Sequence, residues 1–340
     1  MSSGGTVAAW DAASLRNKMV LGLVLGALVY LGISFYVGWE ELAEAAQRFN
    51  WWILPGLLAL SLVNYIVRFL KWHYYLGRLE IELGYTDSVL IFLSGLMLSI
   101  TPGKLGELIK AVLVKMRLGT RVSTVAPVVF AERLTDVMAL VIISVLGALG
   151  HTGGQHAVLA GALVVVAGLA LVSSRPLVLG LLHRLAHLRW VGRNLERIEL
   201  MYESAFALVS PVPLAIGTVL SLVAWGAECV AFGWTFAGFG HAVDLGSAAF
   251  AYAVSTLVGA LSMLPGGLGT TEASLAAFAH RLFGAPEGVA GLAAIIVRLT
   301  TLWFAVGLGA VAMLAVSRRF SVDDQNSTDG TAAADSGASK

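Results

Sequence analysis

Apolar residues come in blocks along this chain, at 19–37, 51–76, 124–149, 155–173, 211–236 and 287–316, each near the roughly 20 residues an α-helix needs to cross a bilayer. Two further blocks, 87–117 and 247–283, are as apolar but are split by Pro102-Gly103 and Pro265-Gly266 into halves of roughly 13 to 18 residues, on the short side of a crossing. Such halves favour re-entrant hairpins that dip in and return on one side, with paired short helices as the other solution. The pattern predicts an all-α polytopic membrane protein with about six spanning helices, two helical hairpins and a single transmembrane domain over 19–316. The block at 19–37 is too long for a signal-peptide core and has no obvious small-residue cleavage site before Trp39, so it reads as a retained helix. Residues 317–340, rich in Ser, Asp, Gly and Ala without periodicity, are expected to form a disordered tail.

Polar residues between the blocks set the expected orientation, because Lys and Arg are enriched in cytoplasmic loops. Arg16 and Lys18 put residues 1–18 inside, and Glu40, Glu41 and Glu44 put the next loop outside. Arg68, Lys71 and Arg78, then Lys115, Arg117 and Arg121, then Arg175 to Arg197, and finally Arg318 and Arg319 all fall on the inner side, so both termini are expected in the cytoplasm. Arg68 and Lys71 read here as topology determinants near a helix end. The Arg-rich stretch at 175–209 reads as an interfacial helix against anionic headgroups. Composition agrees: 58% hydrophobic and 13% charged residues in a chain of 340 exclude an ordinary soluble domain. The lone Cys229 excludes an internal disulfide framework and a multi-cysteine metal site.

The two broken blocks are related. Thr101-Pro102-Gly103-Lys104-Leu105-Gly106-Glu107 returns in altered form as Leu264-Pro265-Gly266-Gly267-Leu268-Gly269-Thr270-Thr271-Glu272. Ser61-Leu62-Val63 matches Ser221-Leu222-Val223 at a spacing of 160, and Arg133-Leu134-Thr135 matches Arg298-Leu299-Thr300 at 165. Constant order and near-constant spacing mark two copies of one unit, repeat 1 over about 51–149 and repeat 2 over about 211–316. The single span at 155–173 between them makes the number of crossings odd, which inverts the second copy and predicts a pseudo-twofold axis in the membrane plane.

A charge near the centre of a spanning helix costs about 2.5–3.5 kcal/mol on insertion scales, so charges there pair or line a polar cavity. Candidates are Lys104, Glu107 and Lys110 after the first break, Glu132, Arg133 and Asp136 in the next span, Glu228, then Glu272 after the second break and Arg298 in the last span. The expected pairs are Glu107 with Arg133 and Glu272 with Arg298. With the backbone N–H groups at the half-helix starts these cations would attract a phosphate, whereas static salt bridges holding the hairpins are the plain structural alternative. Lys104 and Lys110 could also snorkel to the cytoplasmic interface. No nucleophile elbow, P-loop or metalloprotease motif occurs, so no enzyme activity, cofactor, metal or nucleic-acid partner is expected.

The ordered set Ser94–Glu107, Glu132-Arg133-Leu134-Thr135-Asp136 and Leu264–Glu272 resembles the flippase-like transmembrane domain of lysylphosphatidylglycerol synthases and their stand-alone relatives, over nearly all of residues 15–316. The chain ends soon after Arg319, so lysyl-lipid synthesis is not carried over. The resemblance implies translocation of an anionic phospholipid or a polyprenyl-linked lipid in a bacterial inner membrane. It maps the translocation site onto Pro102, Gly103, Gly106, Glu107, Glu132, Arg133 and Asp136, and onto Pro265, Gly266, Gly269 and Glu272. Without an ATP-binding motif, movement would be downhill or coupled to protons or ions through the buried carboxylates. A homodimer and a lipid-modifying enzyme are the protein partners weighed, and a small-anion carrier or a non-transporting scaffold are the alternative functions.

Overall fold

The computed structural model describes residues 12–101, 106–149, 156, 159, 161–163, 180, 184 and 202–337. The expected span at 155–173 and most of the basic stretch at 175–209 lie outside the described residues; 202–209 is helical. Among the described residues regular structure is helix, with no strand. The helices are α1 (Ala12–Val37), α2 (Trp39–Arg48), α3 (Leu54–Arg78), α4 (Tyr85–Met97), α5 (Ile109–Leu118), α6 (Val122–Ala148), α7 (Pro211–Ala237), α8 (Leu245–Leu261), α9 (Thr270–Phe283), α10 (Glu287–Arg298) and α11 (Phe304–Gly337). A π-helical turn, Leu299–Trp303, joins α10 to α11 without interruption.

Trp51–Arg78, Pro211–Ala237 and Glu287–Phe320 are long and apolar enough to cross a membrane. At 27 residues α6 has the length too, and carries Glu132, Arg133 and Asp136 in its middle. The broken blocks are helices of lesser reach. The ten residues of α5 rise about 15 Å, half the hydrocarbon thickness of a bilayer. Both α5 and α9 stop at a glycine in the left-handed region, Gly119 at φ 72° and Gly284 at φ 65°, positions 165 apart that extend the repeat.

Two segments differ from the sequence reading. The acidic outer loop is the helix α2, which buries Leu42 and Ala45 against α10 and turns Glu40, Glu41 and Glu44 away. At the other end α11 continues to Gly337 where a disordered tail is expected. Adding residues to an existing helix needs no new nucleation, so the last apolar turns of the span carry the helix onward.

Helix packing relates the two copies. Gly56 lies against Trp234, the Asn64 amide donates to Ala224 O at 2.9 Å, and Gly217 lies against Tyr75. Numbers rise in α3 as they fall in α7, so these corresponding helices run antiparallel. Asn64 and Ala224 are themselves 160 apart, which puts equivalent residues face to face at the crossing. The outer pairs are exchanged between copies: α4 of repeat 1 packs along α11, and α8 of repeat 2 packs along α6. The α4–α11 pair is also antiparallel, with Gly309 against Leu93 and Met97, and Arg319 Nε 2.7 Å from Asp87 Oδ1. Each large apolar cluster accordingly joins residues of both copies, such as Ala305 and Val316 with the α3–α5 core, and Ala139 and Leu140 with the α7–α10 core.

These exchanged pairs rest on close backbone approach. A Cβ on Gly147 would sit 2.7 Å from Gly246 O and 2.9 Å from Phe250 N. Backbone cannot yield as a flexible side chain can, so Gly147→Val is expected to cost about 1–3 kcal/mol, read as a lower melting temperature of the purified protein.

Candidate functional site

The two breaks meet between the repeats. Ile100, Leu268, Leu302 and Val306 form one small apolar cluster there, tying the end of the first half-helix to the second break and to the π turn of the last helix. Beside it opens a cavity of about 320 Å³. Its walls come from Tyr65 and Arg68 of α3, Ser99 and Thr101 at the first break, Arg133 and Asp136 of α6, Trp225 and Glu228 of α7, Tyr252 of α8, Gly266, Gly267 and Thr271 around the second break, and Arg298 and Thr301 of the last helix. Three guanidinium groups and two carboxylates thus surround one space that both copies build.

Local sequence shapes the breaks. At the first, the Thr101 hydroxyl donates to Leu98 O and accepts from the Gly106 N–H, both at 2.7 Å, and a Cβ on Gly106 would collide with Thr101 and Leu98. At the second, Gly266 adopts φ 61°, a conformation that suits glycine, and its carbonyl accepts from Arg298 Nη2 at 2.6 Å. Glu272 Oε2 accepts from the Gly269 N–H at 2.8 Å, and Oε1 accepts from Arg298 Nε at 2.8 Å. The Glu272 carboxylate therefore occupies the start of α9, where the sequence reading has backbone N–H groups facing a phosphate. Arg298 and Glu272 together clamp the second hairpin.

The first hairpin is held differently. Arg133 Nη2 stands 3.4 Å from Glu107 Oε2 and 3.1 Å from Asp136 Oδ2, and Arg68 Nη2 stands 3.7 Å from Glu107 Oε1. Both expected arginine–glutamate pairs are present, one tight and one loose. Nε and Nη2 of Arg68 and of Arg133 are buried without a hydrogen-bond partner among the described residues. Behind them, Lys110 Nζ donates to Glu132 Oε2 at 2.6 Å and lies 4.6 Å from the Trp72 ring centroid. Lys110 is 1% exposed and does not snorkel to an interface. Lys71, fully buried, donates to Asp136 Oδ1 at 2.6 Å.

Of the predicted residues, Arg133, Asp136, Glu228, Gly266 and Arg298 line the cavity. Glu107, Lys110, Glu132 and Glu272 stand one layer behind, each in an ion pair. Gly106, Pro265 and Gly269 shape the breaks. Pro102, Gly103 and Lys104 lie outside the described residues. Sequence reasoning missed Arg68 and Lys71 as members of the polar network: both are buried, Arg68 beside Glu107 and Lys71 against α6 and α7, and so are more than topology markers. It also missed Tyr65, Trp225 and Tyr252. The 160-residue spacing contains that signal, since it pairs Tyr65 with Trp225 and Arg68 with Glu228. The last pair breaks the symmetry of the site, because equivalent positions carry opposite charge. On the acidic side, Tyr252 OH donates to Glu228 Oε2 at 2.6 Å. Among the described residues no three His, Cys, Asp or Glu side chains are grouped to hold a metal ion.

The chain is similar along most of its length to two proteins of Methanothermobacter thermautotrophicus, each named as a UPF0104 membrane protein. One is 24% identical over 314 residues, covering 84% of this chain and 90% of the relative. The other is 21% identical over 329 residues, covering 88% and 96%. Residues 19–309 match the family described as the lysylphosphatidylglycerol synthase transmembrane region. That match contains both breaks and every charged residue of the cavity wall, and on it the chain is an integral membrane protein that belongs to the lysylphosphatidylglycerol synthase transmembrane-region family.

Proposed function

We propose that the protein moves an anionic lipid, or an anionic lipid-linked intermediate, between the leaflets of a bacterial inner membrane, without group transfer. The observation that carries this reading is the cavity between two antiparallel-related copies, with three guanidinium groups and two carboxylates in its wall and two nitrogens each of Arg68 and Arg133 without a hydrogen bond to a described residue. A planar guanidinium with open donors is suited to a phosphate. A volume of about 320 Å³ is at the low end of ligand pockets, enough for a headgroup while acyl chains stay in the bilayer. In this reading α4–α5 and α8–α9 are re-entrant hairpins from opposite sides, and the in-plane pseudo-twofold axis between α3 and α7 lets the headgroup face either leaflet. Both termini lie in the cytoplasm.

The test is transbilayer movement of labelled anionic lipids in vesicles holding the purified protein, beside Arg133→Ala and Glu107→Gln. Wild-type acceleration that falls about 10- to 100-fold in Arg133→Ala supports the reading, as each charge-assisted hydrogen bond contributes about 1.5–3 kcal/mol. Vesicles that move inorganic phosphate or another small anion but no lipid would replace it with a small-anion carrier.

A further inference from the structure

The Lys71 ammonium sits in a cage of four oxygens: Asp136 Oδ1 and Ser221 Oγ at 2.6 Å, and Thr135 Oγ1 and the Glu132 main-chain carbonyl at 3.3 Å. Both hydroxyls have other acceptors for their protons. Thr135 donates to the main-chain carbonyl of Ala131 at 3.0 Å, and Ser221 donates to Asp136 Oδ1 at 3.0 Å. Their lone pairs are therefore available to a cation whatever that cation is. One carboxylate, two hydroxyls and one main-chain carbonyl are hard oxygen donors, with a single negative charge among them. Such a set suits a monovalent metal ion as well as an ammonium.

The position of the cage gives it a role. Glu132, Thr135 and Asp136 belong to α6 of repeat 1, Ser221 belongs to α7 of repeat 2, and Lys71 reaches in from α3. Its counterpart 160 residues on is Ala231, so the corresponding place in repeat 2 holds no lysine. Asp136 turns its other oxygen toward Arg133 in the cavity wall, at 3.1 Å. Occupancy of the cage therefore fixes Asp136, and Asp136 helps fix the arginine that faces the headgroup. A diffusible ion there would make headgroup binding depend on its concentration; a cation on a side chain does not.

We infer that the cage around Lys71 is a monovalent-cation site whose ion is replaced by a tethered ammonium, so that lipid movement needs neither Na⁺ nor K⁺. The transport half of this rests on the proposed function, and the cation-site half does not.

Both halves are tested together. Purified wild type and Lys71→Ala are melted in NaCl, KCl and N-methylglucamine chloride at equal ionic strength, with Lys71→Ala/Ser221→Ala as a control. The expected result is that Na⁺ or K⁺ raises the melting temperature of Lys71→Ala by about 2–4 °C over N-methylglucamine, that wild type is indifferent, and that removing Ser221 Oγ abolishes the response. In vesicles, wild type moves lipid equally in the three salts. Lys71→Ala falls about a hundredfold in N-methylglucamine, with buried Asp136 left to Arg133 alone, and regains activity in Na⁺, K⁺ or methylammonium. A folded Lys71→Ala whose melting ignores all three ions would overturn the cation site, and ion-dependent transport by wild type, which can be read even where Lys71→Ala does not fold, would overturn the ion-independence that the tethered ammonium is inferred to give. Absence of lipid movement by wild type in every salt would sink the proposed function alone, since melting still decides the cage.

Discussion

Glu272→Ala is expected to lower the stability of the purified protein by about 3–5 kcal/mol, the loss typical of a buried ion pair that keeps one partner. The carboxylate is fully buried and has two donors, the Arg298 Nε and the Gly269 N–H. Its removal strands a guanidinium that is 8% exposed, leaves a main-chain donor at the start of α9 without its acceptor, and removes the side chain that caps that helix. Arg298 would still reach Gly266 O, but a carbonyl dipole does not offset a full charge. Thermal or denaturant melting of the single variant reads the loss directly. Glu272→Leu combined with Arg298→Met removes both charges at similar volume, and should recover much of it, because an apolar pair avoids the desolvation cost that the ion pair carries. A single variant within about 1 kcal/mol of wild type would exclude the clamp and return Arg298 to the headgroup as a ligand.

Much of this arrangement is legible in sequence, for reasons that are local. Helix length and apolarity mark α3, α7 and the last span, and Pro102-Gly103 and Pro265-Gly266 mark the breaks because a Pro-Gly pair is a strong local helix breaker, where a single Pro127 or Gly147 is carried inside α6. The spacing of 165 links both arginine–glutamate pairs, which depend on one helix and the break before it. Arg68 is different. Its place in a cavity wall shared with Trp225 and Glu228 requires α7 to lie antiparallel across α3, a contact 160 residues distant, and a count of basic residues near a helix end carries no trace of that. The same spacing that matches Ser61 with Ser221 puts Arg68 opposite Glu228, so the information is present but becomes physical only when the two helices cross. The Arg298 bond to Gly266 O is less legible still, since a main-chain carbonyl has no residue type to signal it. In α2, Leu42 and Ala45 are three apart with Glu40, Glu41 and Glu44 around them, a helical spacing visible in the sequence but short enough to pass for a loop.

Arg68→Ala should separate binding from folding. The side chain is 6% exposed, two of its nitrogens lack a hydrogen bond among the described residues, and its ion contact with Glu107 is long, at 3.7 Å. Without it Glu107 keeps Arg133 at 3.4 Å and Lys110 at 3.8 Å, so no buried carboxylate is stranded and melting should shift by about 1 kcal/mol or less. The cavity, however, loses its least committed cation. If Arg68 gives a phosphate one or two charge-assisted hydrogen bonds, lipid movement falls about 10- to 100-fold or more, while melting reports an intact fold. Arg68→Lys keeps the charge but not the planar fork, and should recover only part of the rate. Glu228→Arg added to Arg68→Glu restores one cation and one carboxylate on the opposite copies. Because the two positions are equivalent across the axis, recovery by this swap would mean that the headgroup needs one arginine and one acid in the pair and is indifferent to which copy supplies each. No recovery would mean that the arginine must stand beside Arg133, making repeat 1 the phosphate-binding half.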